Sequence, residues 1–456
     1  MTDAPTRATL GRGAAWALGG HVVSFAVPFV LIPWTLARVG TAEYGVWVQL
    51  VVLAGWLAHA DLGLWTGIAK EVAERRARGD QEGLRTLFGT WIAVDAAAAV
   101  AILVAGFVAS FFLQVPRPLL MAVAAQAATV PALRHLSYAL AGLQRTDVPH
   151  RLGVVVAPLS LAAGILALET GWGLTGLAAS GAVFGALQTL VLLRRATAAG
   201  LPVAGPRFRF GVFRRLLSAG WKLEAAELSR QAFRSDRLVL RWTGTSLEAV
   251  ALYAVGFGLA ERLTGVVALL STAVMPAAAD LNARGDLVRI RNLFLRGTKY
   301  HVLLGLLSLG FASLFAGELL ILWLGKPMPD AVAVLRWGAL GGVAVAVACC
   351  AMSVAVALGR PGMQLATTLA SLALAAVLYS TWGRLYHGAG LAASVALGTV
   401  AGHVGFMIAF RRCLDFRWRE LVGDALLRPA VAALPLAAVY AAWQGPAPRL
   451  PAIDGR

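Results

Sequence analysis

Charge is scarce in this chain. Asp, Glu, Lys and Arg make up 14% of its 456 residues, too few to clothe a soluble domain of that size. Cysteine is nearly absent: Cys349, Cys350 and Cys413 lie on apolar or cytoplasm-facing segments without metal-ligand spacing. That excludes a disulfide framework and a cysteine-held metal, and nothing else in the sequence calls for a metal or cofactor. No stretch between the apolar runs is long enough for a soluble domain. The start of the chain also lacks the short apolar core and small-residue cleavage site of a signal peptide, so the first apolar run, about Gly13 to Trp34, is expected to be a retained helix.

What is present is apolar: 59% of residues are hydrophobic and the mean hydropathy is +0.73. Runs of about twenty residues suffice for helices crossing about 30 Å of hydrocarbon, which predicts an all-α polytopic membrane protein. Twelve spans are expected, near 13–34, 44–68, 86–112, 118–141, 150–168 and 174–193, then near 216–240, 248–276, 300–324, 331–357, 362–381 and 389–410. Gly-Thr pairs, Pro116, Pro118 and Gly171 to Gly173 mark breaks between them. A further run, Pro429 to Trp443, is short for a thirteenth crossing and is left to cross, re-enter or lie at the interface.

The chain is duplicated. ARGDQEGLRTLF (Ala77 to Phe88) and ARGDLVRIRNLF (Ala283 to Phe294) are near copies about 206 positions apart; GLAAS recurs at Gly176 and Gly390, and Gly40-Thr41 is echoed by Gly244-Thr245. Six spans per copy is an even number, so the copies run parallel, related by an axis along the membrane normal, around a central cavity. The expected organisation is an N-lobe over 1–193, a basic linker over 194–215, a C-lobe over 216–412, and a basic segment with the short run and tail over 413–456.

Cations fix the orientation. With the N-terminus in the cytoplasm, about 26 of the 40 Lys and Arg fall on inside segments and five on outside loops, namely Arg38, Arg117, Arg241, Lys326 and Arg384. The net charge of +17 is thereby explained by an anionic leaflet, and nucleic acid is excluded as a partner because no soluble domain presents a basic face.

Seven cations remain inside predicted spans: Arg134, Lys222, Arg230, Arg234, Arg237, Arg262 and Arg336. Each costs at least about 2.5 kcal/mol at mid-bilayer, so such residues face a bundle interior or a wet cavity. Span 7 holds four of them, with Arg230, Arg234 and Arg237 on one helical face and Glu227 within pairing reach; span 8 adds Glu261 and Arg262. Guanidinium forks match a pyrophosphate, which makes Arg230, Arg234, Arg237 and Arg262 the candidate anion ligands. The competing reading is structural, with Glu224, Glu227, Asp236 and Glu261 pairing the same cations internally.

Other polar residues say less. Asp61 pairs either with a cation of the following loop or with another helix, His21 lines a cavity or bonds a nearby carbonyl, and Arg134-His135 is expected to snorkel. Asp95 and His403 are isolated in sequence. Pro28, Pro33 and Pro276 are expected kink points.

EYGVWVQL with ADLGL and ARGD (Glu43 to Asp80), SDRLVLRWTG with ALYAVG (Ser235 to Gly256), MPAAADLNARGD (Met275 to Asp286), LLILWLG (Leu319 to Gly325) and VALGRPG (Val356 to Gly362) form an ordered series over nearly all twelve spans. In this it resembles the polysaccharide-transporter branch of the multidrug/oligosaccharidyl-lipid/polysaccharide exporter superfamily, bacterial flippases for lipid-linked oligosaccharides. The resemblance implies two six-helix lobes flanking a cationic cavity. It implies transfer of an undecaprenyl-pyrophosphate-linked glycan across the inner membrane by alternating access, with membrane lipids the other partner and no enzymatic step. Asp236 matches an acid the family often carries in span 7, and Asp61-Leu62-Gly63 its span 2 motif; Glu227, Glu261, Asp236 and Asp61 are the counter-ion and coupling candidates. Family members often carry first-lobe cavity cations, whereas span 1 here has none beyond His21. A monomer is the expected form. The nearest alternative is a multidrug, cation-coupled exporter of the same superfamily; a membrane glycosyltransferase, ligase or polymerase is disfavoured because the outside connections are short.

Overall fold

The computed structural model describes residues 7–202 and 208–443, and all of the regular structure among them is helical. The linker residues Gly205, Pro206 and Arg207 and the tail cations Arg449 and Arg456 lie outside the described residues. Ten helices are long and apolar enough to cross a membrane, and an eleventh crossing is formed if a pair bent by 76° counts as one. The protein is a multi-pass membrane protein. The chain divides into two compact units between Leu238 and Val239.

The first unit contains α1 (Arg7–Leu57), α2 (Trp65–Ala77), α3 (Gln81–Phe112), α4 (Arg117–Gly142), α5 (Asp147–Glu169), α6 (Gly173–Ala198) and α7 (Phe210–Phe233). Helix α8 (Asp236–Trp242) carries the chain across the division. Pro28 and Pro33 lie within α1, and the non-helical residue is Gly40, at φ 82° and ψ 173°, so α1 is two helices joined across a kink. A turn over residues 58–64 follows, with Leu62 and Gly63 at φ 54° and 77°. The core on this side joins α2, α3, α4, α6 and α7 through Ile68, Phe88, Trp91, Leu140, Leu192 and Leu216. Helix α7, expected to open the C-lobe as its first membrane span, packs with the first unit and is not among the described helices long and apolar enough to cross, since its charges lower its hydropathy.

The second unit holds α9 (Leu247–Ala268), α10 (Ser271–Ala283), α11 (Leu287–Gly305), α12 (Phe311–Leu314), α13 (Ala316–Leu324), α14 (Pro329–Ala357), α15 (Gly362–Thr381), α16 (His387–Phe410), α17 (Trp418–Glu420) and α18 (Arg428–Trp443). Its core gathers Ile290, Phe294, Cys350, Phe410 and Phe416. The ninth expected span starts earlier than predicted, at Leu287, and breaks at Phe315. The run after Pro429 is the end of a 26-residue apolar helix from Trp418 to Trp443. A proline ring collides with the carbonyl four residues back; here the turn before it is the wider π-helix Leu421–Leu427, so the helix continues through Pro429. Charges in this helix form two ion pairs, Arg428 with Asp424 at 3.1 Å and Glu420 with Arg291 of α11.

The duplicated ARGD has a structural cause. In each copy the glycine ends one helix and the aspartate begins the next. Gly79 (φ 68°) donates to the Arg76 carbonyl at 3.2 Å and Asp80 N–H to the Arg75 carbonyl at 3.0 Å; Gly285 (φ 70°) and Asp286 repeat this onto Asn282 and Leu281, both at 3.0 Å. Asp80 then accepts from Gly83 N–H at 2.7 Å and Asp286 from Arg289 N–H at 3.0 Å, capping α3 and α11. The Gly-Thr echo is of the same kind, since Gly40 and Gly244 are both left-handed, at φ 82° and 85°. Asp80→Ala and Asp286→Ala should each lower the unfolding free energy by about 1 kcal/mol, and the Asn variants by much less. Equilibrium unfolding of the purified protein in mixed micelles measures this; a cost at one site without the other would break the equivalence of the copies.

Candidate functional site

Helix α7 reaches the rest of the first unit through polar side chains. Gln231 donates to the Val52 carbonyl at 3.0 Å, Trp56 Nε1 to Ser235 Oγ at 2.8 Å, and Trp65 Nε1 to Glu224 Oε2 at 3.1 Å. His59 Nδ1 lies 2.6 Å from Glu224 Oε1. Gly63 allows the close approach: a Cβ there would stand 2.5 Å from the Glu224 Cβ. Glu224 is therefore committed to α1's end and α2, and is not a counter-ion for the arginines further along α7.

Those arginines sit where α7 stops. The helix ends at Phe233, Arg234 is its C-cap, and α8 restarts at Asp236, whose Oδ1 accepts from the Arg237 N–H at 2.7 Å. Arg230 is paired with Glu227, one turn back, with Nε to Oε2 at 3.1 Å. Arg234 is exposed, and its guanidinium has no hydrogen-bond or ion-pair partner among the described residues. Asp236 and Arg237 are both buried. The first unit thus brings Arg230, Arg234, Arg237, Glu227 and Asp236 onto one stretch of broken helix. Arg262, half-buried, and the exposed Glu261 belong to α9 of the second unit.

Asp61 is placed elsewhere. It is fully buried at the turn after α1, with Oδ2 3.6 Å from Arg134 Nη1 and 3.5 Å from His135 Nε2. His135, also fully buried, presents Nδ1 to Asp95 Oδ1 at 2.7 Å. The His135 contacts are at ion-pair distance, but their angles miss hydrogen-bond alignment, so the charges and not oriented hydrogen bonds define the cluster. Arg134, rather than only snorkelling, donates from Nη2 to the Ala58 carbonyl at 3.2 Å and lies over the Trp65 ring. Asp95 and His59 join this cluster although their sequence surroundings give them no role. The charge of each costs too much to bury singly, which is the one signal that points to a partner.

A cleft of about 450 Å³ also opens within the first unit, between α1, α4, α5 and α6. His21 lines it, together with Ser24, Gln126, Thr129, His150 and Gln188. Its polar groups are amides, hydroxyls and imidazoles, with no Asp, Glu, Lys or Arg among the described lining residues.

No protein-family model matches the sequence, and no curated protein matches it. Solved structures share the fold. The lipid II flippase MurJ in an inward closed conformation aligns with a TM-score of 0.66 at 10% identity, over 94% of this chain and 98% of that chain. An outward-facing multidrug resistance MATE family transporter of the MOP superfamily gives 0.61 at 15% identity, over 94% and 96%. A mutant of the Vibrio cholerae MATE transporter VcmN gives 0.59 at 15%, over 90% and 98%. At these identities the likeness is one of fold, and the fold is that of MATE transporters and MurJ.

Proposed function

We propose that this protein is a transporter that moves a polyprenyl-pyrophosphate-linked oligosaccharide or polysaccharide repeat unit across a bacterial inner membrane by alternating access, with its N-terminus in the cytoplasm. One observation carries the reading: Arg234 is an exposed guanidinium, without a partner among the described residues, at the break between α7 and α8 and flanked by Arg230 and Arg237. A fixed cation that no protein group compensates suits a ligand that brings its own negative charge, and a diphosphate accepts the bidentate fork of arginine. Glu227 then acts as a resident counter-ion that holds Arg230 until the anion arrives. A protein of the same fold is by its name a flippase for lipid II, which agrees with a lipid-borne cargo.

A second reading has its own support. The uncharged cleft lined by His21, Gln126 and Gln188 suits an organic compound, as expected of a multidrug exporter. Binding separates the two. A short-chain polyprenyl pyrophosphate titrated onto the full chain in nanodiscs should bind, and Arg234→Ala should weaken it about 10- to 100-fold, the loss of one charge-assisted contact. Arg230→Ala/Arg234→Ala should weaken it further while membrane levels stay normal. Absence of pyrophosphate binding, with an organic cation bound equally by both proteins, would replace the flippase with the exporter.

A further inference from the structure

Arg336, one of the seven cations inside the predicted spans, has no part in the anion site on α7 and α8. It lies on α14 of the second unit and is exposed. At about 1.5 Å per residue an upright α14 of 29 residues is about 43 Å long, so a hydrocarbon layer of about 30 Å leaves each helix end about 7 Å beyond it. Arg336 follows Pro329 by about 10 Å of rise, which puts its Cα just inside the hydrocarbon edge. With the N-terminus in the cytoplasm, that edge is the outer one.

A bend in the neighbouring helix aims the guanidinium. The run Leu287–Leu314 turns by 76° into α13 at Phe315, soon after the π-turn Leu306–Gly310. A helix end leaves carbonyls outside the regular ladder. Arg336 Nε donates to one in this last turn, that of Ser313, at 3.2 Å. Rings brace the same bend: Phe315 meets Tyr440 of α18 edge to face with centroids 5.0 Å apart, and lies 4.8 Å from Phe311. Nε is thereby committed, while Nη1 and Nη2 have no hydrogen-bond or ion-pair partner among the described residues. A tether to a carbonyl uses one N–H; the four that remain form an oriented fork for two oxygens of an anion. Leu340, one turn further into the membrane on the same face, is also exposed, so an apolar chain has room below a group held at Arg336.

We propose that Arg336 binds the phosphate of a lipid at the outer side of the second unit. A guanidinium at the hydrocarbon edge, with no carboxylate paired to it among the described residues, is costly without a counter-charge, and lipid phosphates are the anions found next to that depth. Two lipids present this chemistry: a phospholipid headgroup, and the polyprenyl pyrophosphate that the function proposed above delivers to the outer side. Only the second rests on that reading.

The test uses the full chain in maltoside micelles freed of lipid, with hydrogen exchange read at residues 311–318. Three probes are titrated: a short-chain polyprenyl pyrophosphate, a short-chain phosphatidylglycerol, and a diacylglycerol of the same chains without phosphate. A phosphate-bearing lipid should slow exchange there about fivefold or more, and the diacylglycerol should not. Protection by the pyrophosphate alone makes this a site for the carried lipid; protection by phosphatidylglycerol makes it a headgroup site. In Arg336→Gln the side-chain amide nitrogen occupies the chain position of Nε, so the Ser313 bond can persist while the fork and the charge are gone. The half-saturating lipid concentration should then rise about 10-fold or more, with exchange at 311–318 unchanged in the absence of lipid. Protection should survive in Arg230→Ala/Arg234→Ala, which separates this site from the one on α7. No protection by either phosphate-bearing lipid, equal protection by the diacylglycerol, an unshifted titration in Arg336→Gln, or loss of protection in the α7 double variant overturns the proposal. The comparison of lipids needs only the unmodified protein, and it decides the matter if the glutamine variant does not fold.

Discussion

Arg134→Met should cost the protein about 3–5 kcal/mol of unfolding free energy, the range for stripping one partner from a buried ion pair. Among the described residues Arg134 is the permanent cation paired with Asp61, at 3.6 Å, and its side chain is 20% exposed while that of Asp61 is 0% exposed. Methionine keeps the apolar stem and its packing but leaves Asp61 with His135 alone. It also removes the bond to the Ala58 carbonyl and the cation over the Trp65 ring. Arg134→Lys should be intermediate, because an ammonium supplies charge without the fork or the planar stacking. The informative variant is the double one: Asp61→Asn combined with Arg134→Met removes both charges together and should recover most of the loss. Equilibrium unfolding in mixed micelles gives the free energies of the single and double variants. Additive single costs would mean that the two residues do not interact.

Much of the scaffold is legible in the sequence because its signals are local. Apolar length locates most spans, and the Gly-Thr and ARGD pairs mark breaks that prove to be left-handed glycines and a capping aspartate. What escapes such reading depends on contacts between distant segments. Asp61, Asp95 and His135 lie on three different elements, and nothing in their separate surroundings says that they converge. Helix α7 carries the densest charge of any predicted span, which suggests the face of a second-lobe cavity; its Glu224 and Gln231 instead serve to dock it in the first unit. The break at Arg234 is equally hidden, since its residues carry neither proline nor glycine. The end of the chain misleads for the opposite reason. A proline after a charged stretch reads as a boundary, whereas a π-turn and two ion pairs let the helix run on.

Gly63→Ala should cost more than an alanine does at any open left-handed glycine, and Gly63→Val should go further, to about 2–5 kcal/mol in all. Two effects combine at this position. The backbone is left-handed at φ 77°, which an L side chain resists by about 1–2 kcal/mol. A Cβ would also stand 2.5 Å from Glu224 Cβ and 2.9 Å from Cγ. Glu224 Cβ is rooted in the α7 backbone and has no rotamer that moves it away, so relief requires displacing the helix. Gly79 provides the control, being left-handed at φ 68° with nothing within 4 Å of the added carbon. The difference between Gly63→Ala and Gly79→Ala therefore isolates the packing cost. Exchange protection across α7 locates it, because a displaced helix loses the Glu224 contacts to His59 and Trp65 together. Equal costs at the two glycines, with α7 protection intact, would mean that the helix is not held against this turn.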